Sequence, residues 1–159
     1  MIRGIHHVAM VTSDLERILC FYRDSLGFKE VARGGWRVGG AGAELFDRVV
    51  GLKSSSADAV MLTAGNLNLE FFQYSTPPSD ASEPRRTANM PGWRHLSFDV
   101  VDIQDTYEQM LAAGATFDSP PQDLGFIKTV YGRDPDGNII EIQELMGKDH
   151  PMQLDVLNK

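Results

Sequence analysis

Four residues carry the most chemistry in this chain: His7, Glu70, His95 and Glu141. Two imidazoles and two carboxylates make a mixed nitrogen and oxygen donor set, suited to one divalent ion such as Zn, Ni, Co, Mn or Fe(II). With water in the remaining positions, such a site stays open to a substrate. A single His or Glu on a strand is usually solvated or an ordinary packing residue. What sets these four apart is their recurrence, one His followed by one Glu in each half of the chain.

Strand alternation assigns their faces, because successive side chains on a strand point to opposite sides. In IHHVAMV, residues 5–11, His7, Ala9 and Val11 share a face and Val8 and Met10 the other. His6 is thereby expected to turn away from His7. In LNLEFFQY, Glu70 and Phe72 oppose Leu67, Leu69 and Phe71. WRHLSFDVV sets His95, Ser97 and Asp99 against Leu96, Phe98 and Val100. NIIEIQEL sets Glu141 against Ile140 and Ile142. Each strand thus has an apolar side to pack under a helix and one ligand type on the other.

The elements that must position these residues repeat. Ser13-Asp14 is a helix cap signal before LERILCFYRDSL, whose apolar residues fall at helical spacing and which Gly27 ends. FKEVAR, DAVMLTA and LNLEFFQY read as three strands, the last two joined by Gly65-Asn66. The second half runs in the same order: a strand, Asp102 as cap, the helix IQDTYEQMLAAG, then ATFDS, FIKTVYGRD, the turn Pro135-Asp136-Gly137 and NIIEIQEL. Each half is β-α-β-β-β, an internal duplication in an α+β chain. The modules are expected at 1–74 and 93–145, with a polar linker at 75–92 and a tail at 146–159. His7 and Glu70 lie 63 positions apart and His95 and Glu141 46, an excess of 17 in the first half. That excess fits an insertion at about 34–56, whose Gly-rich start reads as a mobile loop and AELFDRVVG as a short helix. A long insertion in a small domain is often functional, and a lid over the site is the expectation.

Composition narrows the partners. The chain has 159 residues, 42% hydrophobic and 23% charged, enough for a real core without disulfides or structural metal. A net charge of −7 argues against nucleic acid or an anionic membrane surface. No apolar run approaches the roughly 18 residues of a membrane span. The N-terminal residues become charged too early for a signal peptide, and a single cysteine, Cys20, forms no internal disulfide. A cytoplasmic location follows as the expectation, with Cys20 an inert core residue of the first helix. Trp36, Phe72 and Arg133 are taken as substrate contacts, and Tyr131 as another aromatic lining the pocket.

Taken together, IHHVAMVTSDLERILCFYRDSLGF, LNLEFFQY, GWRHLSFDVVDI and GRDPDGNIIEIQE resemble the vicinal oxygen chelate superfamily over about residues 4–145. That superfamily includes glyoxalase I, methylmalonyl-CoA epimerase, extradiol dioxygenases and fosfomycin-resistance proteins. The resemblance implies paired βαβββ modules whose curled mixed sheets form a concave metal-binding cavity, with His7, Glu70, His95 and Glu141 as ligands. It implies a metal-dependent isomerase or lyase, of the glyoxalase I (lactoylglutathione lyase) type, forming an enediolate or enolate from a small oxygen-chelating substrate. Glu141 or Glu70 would be the base, and a homodimer is the implied assembly. The alternatives are an acyl-CoA epimerase, an Fe(II) extradiol-type dioxygenase and a non-catalytic drug-binding protein. Two departures matter. Where glutathione-binding arginines would be expected, the chain has Val11 and Pro91, so the substrate pocket differs from that of glyoxalase I.

Overall fold

In the computed structural model, which describes residues 1–78, 87–147 and 150–154, two mixed sheets each pack a helix on one face. The chain divides into two compact units, residues 1–19 with 27–83 and residues 20–26 with 84–159. Pro84 and Arg85-Arg86 of the expected linker, and half of the expected tail, lie outside the described residues. Among those described, no helix is long and apolar enough to cross a membrane.

The first unit contains β1 (Val8–Val11), α1 (Leu15–Leu19), β2 (Lys29–Trp36), α2 (Ala43–Val50), β3 (Ser56–Ala64) and β4 (Leu67–Thr76). Its sheet runs β1-β4-β3-β2, with β1 parallel to β4 and the other pairs antiparallel. Asp14 caps α1 by accepting from the Arg17 amide at 3.1 Å, as the sequence signal requires. The Gln73 side chain adds a second cap, accepting from Leu15 N at 2.9 Å and tying the helix to β4. Leu15, Ile18 and Leu19 are buried, as are Val60, Leu62, Leu69 and Phe71 of the sheet. The register aligns Val60 with Phe71 and Leu62 with Leu69, so one continuous apolar face results. Burying side chains of this size contributes about 1.5–3 kcal/mol each before the ordering cost is subtracted.

The second unit contains β5 (His95–Asp99), α3 (Ile103–Ala112), β6 (Thr116–Phe117), β7 (Gln122–Asp123), β8 (Ile127–Arg133) and β9 (Ile139–Leu145). The order β5-β9-β8-β6 repeats that of the first sheet, again with one parallel pair, β5 with β9. Asp102 caps α3 through the amides of Gln104 and Asp105, both at 3.1 Å. Ile103, Met110, Val130, Ile140 and Ile142 form its core with Phe21 and Tyr22.

Three expectations need correcting. The helix expected across LERILCFYRDSL is α-helical only to Leu19, and Cys20–Ser25 winds as a π-helical turn with Leu26 N bonded to Phe21 O at 3.1 Å. Cys20 stands on the side of the helix away from Leu15, Ile18 and Leu19, so it is exposed and not a core residue. Strand β1 begins at Val8, three residues later than the apolar pattern suggests, and Ile5 is exposed. Finally, Gly34 and Gly35 belong to strand β2, paired with Ala59 and Asp58. Glycine at 35 reflects close backbone approach: a Cβ there would run into the Ala57 carbonyl oxygen and stand 3.1 Å from Asp58 Cα. Gly35→Ala is therefore expected to cost about 1–3 kcal/mol by overpacking, read as a lower urea midpoint. An unchanged midpoint would mean β2 shifts freely.

The remainder of the insertion is ordered by its own contacts. Helix α2 forms where AELFDRVV predicts it, between Gly42 and Gly51, both in the left-handed region at φ 77° and 72°. Asp47 holds the exit from the helix, accepting from Ser54 N at 2.8 Å and Ser55 N at 2.9 Å. Those bonds, with the Ser55 hydroxyl, depress the Asp47 carboxyl below its usual range.

Candidate metal centre

Each unit brings one imidazole against one carboxylate. In the first, His7 Nε2 stands 3.3 Å from Glu70 Oε2. In the second, His95 Nε2 stands 3.2 Å from Glu141 Oε2. The registers that produce these pairs are equivalent. Ala9 pairs with Glu70 and Ser97 with Glu141, so each His sits two residues before the partner of its Glu, across a parallel strand pair. The predicted faces hold for Glu70, His95 and Glu141, which lie on strands.

The spacing fits two neighbouring ligands of one ion. Donor atoms each about 2.1 Å from a metal and at right angles to one another lie about 3.0 Å apart. Separations of 3.2 and 3.3 Å correspond to a slightly wider angle. Both imidazoles are partly open, with side chains 39% and 33% exposed, whereas the carboxylates are more enclosed at 22% and 13%. As ion pairs of this exposure they would add little to stability, about 0–1 kcal/mol each. Among the described residues no group of three or more His, Cys, Asp and Glu side chains that could hold a metal ion is gathered in one place.

Neighbouring groups orient the pairs. His6, expected to turn away, places its Nδ1 2.9 Å from His7 Nδ1. The alternation argument fails there because β1 starts only at Val8, leaving residues 6 and 7 outside the pleat. If His7 donates from Nδ1 to His6, its Nε2 lone pair is free for a metal, the usual tautomer of a ligating imidazole. The Asn68 amide fixes this approach by donating to the His6 carbonyl at 2.9 Å. In the second unit Thr129 donates to Glu141 Oε1 at 2.6 Å. Tyr131, which pairs directly with Glu141 in the ladder, lies against the His95 ring at 4.8 Å, tilted by 45°, with its hydroxyl 3.4 Å from Nε2.

Tyr131 and Tyr74 both have hydroxyls held above the usual tyrosine range, first by burial and then by a carboxylate charge, Glu141 and Glu70 respectively. Both remain protonated donors at neutral pH. Sequence reasoning placed Tyr131 only as an aromatic wall and missed Thr129. Alternation sets Thr129, Tyr131 and Arg133 on one face of β8, but the β8–β9 register that brings Thr129 and Tyr131 to Glu141 is not visible in the chain alone.

The three residues expected to touch substrate are placed differently. Trp36 is buried, stacked on Phe46 at 4.7 Å and 5°, with its indole N–H donated to Ser55 Oγ at 2.8 Å. Phe72 shares the Glu70 face and meets Trp36 edge-on at 6.1 Å. Arg133 donates to the Gly137 carbonyl at 2.7 Å, bracing the turn before β9. It also lines a cavity of about 400 Å³ with Thr87, Thr116, Asp118, Tyr131 and Ile139. Because Ile139 pairs with His95 in the ladder, that cavity adjoins the second ligand pair.

The model of the Glyoxalase/Bleomycin resistance protein/Dioxygenase superfamily matches residues 4–142. The chain belongs to this superfamily. The superfamily also supplies its structural likenesses. A glyoxalase family protein from Bacillus cereus superposes with a TM-score of 0.81 at 23% identity, covering 92% of this chain and 97% of that one. The fosfomycin resistance protein FosX from Listeria monocytogenes, crystallised with Mn(II) and sulfate, superposes at 0.59 with 16% identity, covering 91% and 93%. In sequence, a virulence protein of Salmonella typhimurium is 26% identical over 149 residues, 91% of this chain and 85% of that one. Superfamily membership and the α+β fold of two mixed sheets agree with the resemblance drawn from the sequence.

Proposed function

We propose that the protein is a divalent-metal-dependent isomerase or lyase of the glyoxalase type, with His7, Glu70, His95 and Glu141 holding one ion per chain. The observation that carries this reading is the equivalent His–Glu pair in each unit, set by the same strand register. The Mn(II) bound by FosX, a fold relative, is in keeping with it.

When bound, the ion would act as a Lewis acid, stabilising negative charge on two neighbouring substrate oxygens. The chain's own residues do the rest. The imidazoles are fixed ligands. Glu70, whose carboxylate has no hydrogen-bonding partner but His7 among the described residues, is the group free to move a proton. For a hemithioacetal it removes the proton from the carbon bearing sulfur and hydroxyl, then returns it to the former carbonyl carbon. The hydroxyl proton passes between the two oxygens, and the carbon–sulfur bond is kept, giving a thioester of a hydroxy acid. Because Val11 and Pro91 stand where glutathione-binding arginines would be expected, the preferred thiol is not assigned to glutathione. The substrate is a small molecule, and a cytoplasmic homodimer is the form we expect.

Metal content tests the reading. Purified protein should carry about one equivalent of Zn, Ni, Co or Mn, lost in His7→Ala and in Glu141→Ala, because ligand removal uncouples binding. Hemithioacetals of several thiols and acyl-CoA thioesters then separate isomerase from epimerase. Iron retained in Glu70→Ala, with oxygen uptake, would favour the dioxygenase. No metal after reconstitution would leave a binding protein as the better account.

A further inference from the structure

The two carboxylates are not equivalent, and the difference lies in one position of the repeat. Thr129 pairs with Gln143, two residues beyond Glu141. The corresponding residue of the first unit is Ala59, which pairs with Phe72, two residues beyond Glu70. Where Thr129 offers a hydroxyl, Ala59 offers a methyl group. The 2.6 Å bond from Thr129 Oγ1 occupies Glu141 Oε1 and leaves Oε2 facing His95. Its length is that of a hydroxyl bonded to an ionised carboxylate, stronger than a neutral hydrogen bond.

Strand β8 is a firm base for this contact. Val130 is buried, and the ladder with β9 is continuous from Ile127 to Arg133. A carboxylate without such a hold can rotate to offer both oxygens or swing aside. Held at Oε1, it presents one oxygen in a constant direction. Among the described residues Glu70 has no such tether.

Resting on the four-ligand reading above, we infer that Thr129 is a positioning residue that commits Glu141 to the ion as a fixed, single-oxygen ligand. It does not touch substrate. Its absence at Ala59 leaves Glu70 as the carboxylate that can move during turnover, so the duplicated unit has specialised one Glu for holding and one for proton transfer.

The test is metal affinity. Wild type, Thr129→Val and Thr129→Ser are stripped of metal and titrated calorimetrically with Mn(II), Zn(II), Ni(II) and Co(II), with urea midpoints as the folding control. Thr129→Val keeps the shape and strand preference of the side chain but lacks the donor. It should weaken binding by about 10–100-fold, the range for losing an outer-shell partner, while Thr129→Ser stays within about threefold of wild type. Wild-type affinity in Thr129→Val, with wild type itself binding metal, would overturn the inference and leave the four-ligand reading intact. So would a Ser variant as weak as the Val variant, since that would mean packing and not the hydroxyl. If wild type binds none of the four ions, the four-ligand reading fails and this role fails with it.

Discussion

Glu70→Gln should leave metal content near that of wild type while lowering kcat by about 10²–10⁴-fold, the contribution typical of a positioned general base. The substitution keeps the shape of the side chain and a carbonyl oxygen for ligation, but an amide cannot accept a proton from carbon at neutral pH. It therefore separates two roles that an alanine variant would confuse. The choice of Glu70 rests on its surroundings: His7 is its only hydrogen-bonding partner among the described residues, whereas Glu141 is also tied to Thr129. Exchange of the substrate's carbon-bound hydrogen with deuterated water gives a second readout and should fall in parallel. If turnover survives in Glu70→Gln and collapses in Glu141→Gln with metal retained, the roles are reversed.

The largest expected loss of stability is at Asp134, not at the ligands. This residue is 4% exposed and collects four donors: Tyr22 OH at 3.0 Å, Asp136 N at 3.0 Å, and Asn138 N and Nδ2, each at 2.9 Å. It closes the Pro135-Asp136-Gly137 turn that launches β9, and through Tyr22 it ties in the π-helical turn. Removing the acceptor from several enclosed donors costs about 1–3 kcal/mol for each one not rehydrated. Asp134→Ala should therefore lose about 3–6 kcal/mol, a large part of a typical margin of about 5–15. Guanidinium unfolding measures it, and a loss under about 1 kcal/mol would show that the turn stands without this hub.

The same residue gives a pH signature. Burial raises the Asp134 carboxyl above its usual range, opposed by the Asn138 and Tyr22 hydrogen bonds and reinforced by the Asp136 charge. The folded protein thus holds this proton more tightly than the unfolded chain. Its contribution to stability is fully present below the ordinary carboxylate range and is lost as pH rises through the raised value. Asp134→Asn should flatten that part of the stability profile while keeping an acceptor oxygen for Tyr22. An unaltered slope would assign the dependence elsewhere.

Several features of this protein follow from the chain alone, for a physical reason. Alternation in LNLEFFQY, WRHLSFDVV and NIIEIQEL is a local property of extended backbone, so it places Glu70, His95 and Glu141 opposite their apolar neighbours without any structure. Caps and turns are equally local, which is why Asp14, Asp102 and the turn after Asp134 were legible. The repeated order of elements carries the fold class, because both halves must bury the same kind of apolar face.

Tertiary structure decided what depends on how strands meet. Register aims Thr129 and Tyr131 at the second ligand pair, and nothing in the spacing of β8 to β9 announces it. Strand pairing also determined where β1 begins and hence that His6 touches His7. It drew Gly34 and Gly35 into β2, where Gly35 approaches backbone too closely for a side chain. The change from α-helix to π-helical turn at Cys20–Ser25 is likewise set by packing and not by the local apolar spacing. Residue types and local periodicity named the candidate ligands; the register between distant strands determined which side chains meet.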